Sequence, residues 1–203
     1  MKLKLVEIAF FLSLFICIFS CLSFENDCKG IRKEIMRLHV IANSDSEADQ
    51  TLKLDVRDSI LEKSKELFGT QNNISDATEI LKSKKQALIK TADEVIKKAG
   101  YNYKARVEIA ESYFPTRQYD SVTLPAGYYK SVRVILGEGK GQNWWCVLFP
   151  PMCLPAAAKG EINLNDVLTQ SQMKLVKSDP RFEVRFWIVE KLQNLKRSHK
   201  QKP

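Results

Sequence analysis

The chain holds only two histidines, His39 and His199, so side chains able to move protons near neutral pH are scarce. Triad hydrolysis needs a histidine beside a nucleophile and an orienting acid. His199 stands in a basic tail. His39 stands among apolar residues in a strand-like segment, where a satisfied core histidine is the expected role. No nucleophile elbow occurs. Asp45, Glu47 and Asp49 alternate as in a calcium loop, but Gln50 replaces the sharp-turn glycine and Val56 the closing glutamate. Acids there also suit a helix N-terminus. No Cys/His group has zinc spacing. Gly137-Glu138-Gly139-Lys140-Gly141 lacks both phosphate-loop spacings and reads as a hairpin connector. The residue types assign no catalytic group, no metal ligand and no cofactor.

Two other groups bear on binding and crosslinking. Trp144 and Trp145 are adjacent, and successive strand residues point to opposite faces. One of them packs inward; the other lies beneath a helix or is displayed to a partner, a role tryptophan suits. Cys146 and Cys153 bracket an eight-residue loop, CVLFPPMC. A disulfide closing it would stabilise by about 2.5 kcal/mol in the chain-entropy model. Buried free thiols are the alternative, and Cys28 would remain odd in that pairing.

The elements that must position these residues follow from apolar periodicity. Ile35, Met36, Leu38, Val40 and Ile41 form a buried strand ending at Ala42-Asn43. Ser44, Asp45 and Ser46 then offer N-caps to a helix carrying Leu52, Val56, Ile60, Leu61, Leu67 and Phe68, closed by Gly69. A second helix starts at Ser75, with Ile80, Leu81, Leu88, Val95, Ile96 and Ala99 inward, and ends at Gly100. Beyond Tyr101 the period becomes two, with Val107 and Ile109 in one strand and Val132, Val134 and Leu136 in another. Asn143–Phe149 is apolar on both faces and reads as an inner strand. A linker with at most a short helix follows over Ala156–Pro180. A last helical stripe comes from Val184, Ile188, Leu192 and Leu195. The order predicts an α+β domain: a mostly antiparallel sheet packed by two or three amphipathic helices.

The N-terminus addresses the protein out of the cytoplasm. Lys2 and Lys4 precede a charge-free run from Ile8 to Phe24, the layout of a basic n-region and an apolar h-region. As a helix the run spans about 26 Å, slightly short of a ~30 Å hydrocarbon core. Cys21 and Ser23 satisfy a small-x-small rule for a cut before Phe24; an uncleaved anchor and a lipidated cysteine stay open. The expected division is residues 1–23 as signal peptide or anchor, 24–34 as linker, 35–195 as the domain and 196–203 as a basic tail. The formal charge of +8 cannot mean nucleic-acid readout outside the cell. Anionic membrane or wall polymer is the plausible counterpart, with a solvated, frayed C-terminus as the plainer reading of the tail.

With those residues on view, the chain resembles the stage II sporulation protein R family. The segments LHVIANSDSEADQTLKLDVRD (Leu38–Asp58), LPAG (Leu124–Gly127), GEGKGQNWWCVLFPP (Gly137–Pro151) and FEVRFWIVE (Phe182–Glu190) carry the match. The resemblance implies a forespore protein exported into the space between the forespore and mother-cell membranes. There it would trigger a membrane-embedded aspartic protease that processes the mother-cell pro-sigma factor. It implies signalling rather than catalysis. The family supplies no catalytic residues, so the contacts expected with the protease are inferred from this sequence. They are Asn43, Asp45 and Asp49 in the polar turn, and whichever of Trp144 and Trp145 faces outward. An exported envelope-binding module is the competing expectation.

Overall fold

The computed structural model describes residues 2–68, 73–119, 122–150, 164–177 and 190–191. An unbroken helix of 33 residues, α1 (Lys2–Glu34), runs up to the first strand. Its apolar side chains from Leu5 to Leu22 are bare, Phe11 and Phe19 being 67% and 66% exposed. That part is long and apolar enough to cross a membrane and suits an export segment. From Phe24 onward the helix changes character, because Phe24, Cys28 and Ile31 fall on one stripe and are buried together with Ile35. Residues 24–34 are therefore a built part of the core and not the expected linker. The stripe is short, and charges flank it on every side, so its periodicity was weak.

β1 (Met36–Ile41) has all six residues buried. Helix α2 (Glu47–Phe68) follows and buries Leu52, Val56, Ile60, Leu61 and Phe68, the expected face. The second expected helix is two helices, α3 (Ile74–Ser83) and α4 (Lys85–Lys98). They part at Lys84, whose φ −102° and ψ 15° leave the helical region, although its N–H still donates to the Ile80 carbonyl at 2.8 Å. The N-cap of α3 is Asn73, whose side chain accepts from Asp76 N at 2.9 Å, so the helix begins one residue before the expected Ser75. Gly69 lies outside the described residues.

The later strands are β2 (Ala105–Phe114), β3 (Arg117–Tyr119), β4 (Val122–Leu124), β5 (Gly127–Leu136) and β6 (Asn143–Phe149). The main sheet runs β2-β5-β1-β6, and β3 and β4 form a separate antiparallel pair. β1 pairs parallel with β5 and antiparallel with β6, while β2 and β5 are antiparallel. The sheet is mixed, not mostly antiparallel as expected. A parallel neighbour requires a long crossover, and α2, α3, α4 and β2 supply it between β1 and β5. β6 has the expected bounds but is the last strand among the described residues, the inner places belonging to β1 and β5.

Both sheet faces are covered. On one, Leu38, Val40, Val107, Val132, Val134 and Leu148 meet the apolar stripes of α2, α3 and α4. On the other, Phe114, Tyr129 and Val147 meet the end of α1, the β3–β4 pair and two short helices, α5 (Leu164–Val167) and α6 (Gln170–Val176). Thr169 and Gln172 close a capping box on α6. Of the expected C-terminal stripe, only residues 190–191 are described, and they are helical. The basic tail lies outside the described residues.

Candidate functional site

The polar turn between β1 and α2 is closed by its own side chains. Asp49 is buried, and its carboxylate accepts from Asn43 Nδ2 at 2.9 Å, Ser44 Oγ at 2.5 Å and Tyr103 OH at 2.6 Å. Its backbone N–H donates to Ser46 Oγ at 3.2 Å, the N-cap bond the sequence led one to expect. Burial alone would raise the Asp49 pKa, but the bonds from Ser44, Tyr103, Asn43 and Ser46 outweigh it and hold the carboxyl below its usual value. Burial, with the Asp49 hydrogen bond and charge, pushes the Tyr103 phenol up.

The same turn grips the loop between β5 and β6. Asn43 Oδ1 accepts from Glu138 N at 3.0 Å, and Asp45 Oδ1 accepts from Gln142 N at 2.7 Å. The Asn43 and Ala42 carbonyls accept from Lys140 N and Gly141 N at 3.1 and 3.0 Å. A Cβ on Gly141 would collide with the Ser44 carbonyl, and Gly137 has φ +53°, so these glycines let the two loops close on each other. The loop read as a hairpin connector joins two strands that do not pair, since β1 lies between β5 and β6, and it forms half of a staple. Asn43 and Asp49 turn their polar atoms into that staple, whereas Asp45 is exposed beside it.

Alternation along β6 separates the two tryptophans. Trp144 is 37% exposed on the α2 side, where the Arg57 guanidinium lies 4.4 Å above its ring. Trp145 is half-buried on the opposite face, stacked on His39 with ring centroids 3.9 Å apart and edge-on to Phe114. His39 is the buried, hydrogen-bonded strand residue expected: its Nε2 lies 2.9 Å from Asn143 Oδ1. Burial lowers its pKa, against the opposing Asn143 bond and with help from Arg133.

Arg37 escaped the sequence reading. It is wholly buried beside Tyr119, donating Nε to the Cys146 carbonyl at 3.0 Å and Nη2 to the Tyr119 hydroxyl. Its guanidinium lies over Phe114 and Tyr129 at 4.4 and 5.0 Å. Alternation with Met36 and Leu38 was the available signal, and it pointed outward to solvent. Cys146 is disulfide-bonded, Cys28 is a buried free thiol, and Cys153 lies outside the described residues. Among the described residues, no group of three or more His, Cys, Asp or Glu side chains could hold a metal ion.

Comparison with known proteins bears on the same segments. A family model described as stage II sporulation protein R matches residues 32–159. The stage II sporulation protein R of Bacillus subtilis (strain 168) is 36% identical over 137 residues, 68% of this chain. The matched region spans 61% of that relative's length. No solved structure matches the chain.

Proposed function

Because this chain belongs to the stage II sporulation protein R family, we propose that it is an exported signalling protein of endospore formation. It acts between the forespore and mother-cell membranes on a membrane-embedded aspartic protease. The protease in turn shortens the mother-cell pro-sigma factor. The family match over residues 32–159 carries this reading. The bare apolar half of α1 supports export, as a signal peptide or an anchor.

The protein works as a ligand, so it binds the active protease arrangement more tightly than the inactive one; equal affinity would shift nothing. Moving a protease from 1:99 to 99:1 takes about 10⁴-fold preference, about 5.5 kcal/mol. Truncating a single well-placed aromatic anchor costs about 2–4 kcal/mol of binding. Trp144, outward and braced by Arg57, is the side chain suited to that role, with exposed Asp45 as a neighbouring contact. Asn43 and Asp49 act indirectly, by holding the β1–α2 turn and the β5–β6 loop in one shape.

The test is reconstitution in a non-sporulating host. This protein, the membrane protease and the pro-sigma factor are co-expressed, and shortening of the pro-sigma factor is followed by immunoblot, with and without residues 1–23. Processing that requires both the protein and its export is the expected result. A protease that responds to a known family member, yet not to this chain secreted equally, would remove the reading.

A further inference from the structure

Beside the C-terminal end of α1 the molecule carries an open surface cavity of about 490 Å³ lined by Lys29, Arg32, Lys33, Glu111, Tyr128 and Lys130. Lys29, Arg32 and Lys33 sit at i, i+3 and i+4 and so share one helix face. Lys130 and Tyr128 supply the facing wall from β5, and Glu111 stands across the ladder from Lys130. Four cations therefore meet one carboxylate. Arg32 is committed, donating to the Ala126 carbonyl at 3.1 Å and pairing with Glu25 at 2.9 Å. Lys29, Lys33 and Lys130 form no ion pair among the described residues. A cavity where three lysines outnumber the one facing carboxylate attracts an anion.

The position on α1 selects the kind of anion. Leu22 is the last bare apolar residue of the helix. At about 1.5 Å per residue, Lys29 follows it by about 10 Å along the axis. The interfacial layer adds roughly 5–8 Å beyond each side of the hydrocarbon core, and a lysine side chain covers the rest. We propose that this cavity captures the phosphodiester headgroup of an anionic phospholipid in the membrane that the apolar half of α1 enters. Arg32 holds α1 to the turn before β5, while the three lysines meet the phosphate. The capture seats the domain on the membrane surface in one orientation. It is independent of the protease reading, since lipid would bind whether or not a protease responds.

The experiment uses the full chain in neutral detergent micelles, titrated with dioctanoyl phosphatidylglycerol or dioctanoyl phosphatidylcholine, and counts bound lipid by native mass spectrometry. One phosphatidylglycerol per chain is expected, and phosphatidylcholine should bind at least tenfold more weakly. At about fivefold per cation near an anionic surface, the variant Lys29→Gln/Lys33→Gln/Lys130→Gln should lose well over tenfold in affinity. Lysine-to-arginine replacement at the same positions should retain binding. The control Lys82→Gln/Lys84→Gln/Lys85→Gln removes the same charge from the α3–α4 surface and should stay within twofold. Equal loss in the control would reduce the effect to net charge and overturn the site. Equal binding of phosphatidylcholine would overturn it too. Displacement of the lipid by millimolar inorganic phosphate would assign the cavity to a soluble anion and overturn the lipid as its ligand.

Discussion

The two faces of the sheet are built on opposite terms. Toward α2, α3 and α4 the contact is apolar and mainly aliphatic, with Leu38, Val40, Val132 and Val134 fully buried and Phe68 and Phe149 meeting edge-on in the same cluster. On the other face the centre is Arg37, boxed by Phe114, Tyr119 and Tyr129, with His39 and Ser131 buried alongside it. Apolar burial is nondirectional and scales with area. A buried guanidinium is held by specific partners, each of which must be in place. The first face is therefore tolerant of shape-conserving change. The second is sensitive to chemistry at constant volume.

Neighbouring residues of β1 put that contrast to the test. Leu38→Ala should cost about 3 kcal/mol in urea unfolding, while Leu38→Met should cost less than about 1.5 kcal/mol. Arg37→Met keeps most of the volume but removes the guanidinium's bonds to the Cys146 carbonyl and the Tyr119 hydroxyl, and should cost about 2 kcal/mol. A neutral or stabilising Arg37→Met would break the comparison, because buried charges are sometimes outperformed by hydrophobes.

Asp49 extends the question to the β1–α2 turn. Asp49→Asn replaces an acceptor facing three donors with a group that itself donates, and should cost about 1.5 kcal/mol at neutral pH. The native carboxyl titrates below its ordinary value of 3.8. Its contribution is therefore complete above that value and disappears as pH falls through the lower, folded one. Stability curves of wild type and Asp49→Asn should converge at acid pH; parallel curves would mean the staple does not depend on the charge. The smallest stability effect belongs to Trp144→Ala, within about 0.5–1 kcal/mol because the ring is partly exposed. Its processing activity should nonetheless fall at least tenfold in the reconstituted assay, and unchanged processing would release Trp144 from the contact surface.

Legibility followed the range over which each cause acts. The bounds of β6 and the buried stripe of α2 could be read directly, because periodicity and capping are local. The parallel pairing of β1 with β5 could not, since nothing within either strand names its neighbour across the intervening helices. The split at Lys84 is a departure of the backbone at one residue, which a stripe from Leu81 to Leu88 conceals. At the site, Trp144 and Trp145 divide between opposite faces as alternation requires. Asn43 and Asp49 looked like display residues because polar turns usually meet solvent. Their partners, Tyr103 and the loop Gly137–Gln142, lie far away in sequence and could not be anticipated. Arg37 was hidden by the same alternation that made the strand readable.

The continuity of α1 sets an order of events. The peptide bond ahead of Phe24 lies inside a helix, between an exposed Ser23 and a side chain already seated in the core. An endoprotease acts on locally opened chain, so cutting there after folding would require pulling Phe24, and with it the turn toward Cys28, out of the interior. Were the export segment to be removed there, the cut would have to precede closure of the second face; a chain that folded first would keep α1 whole.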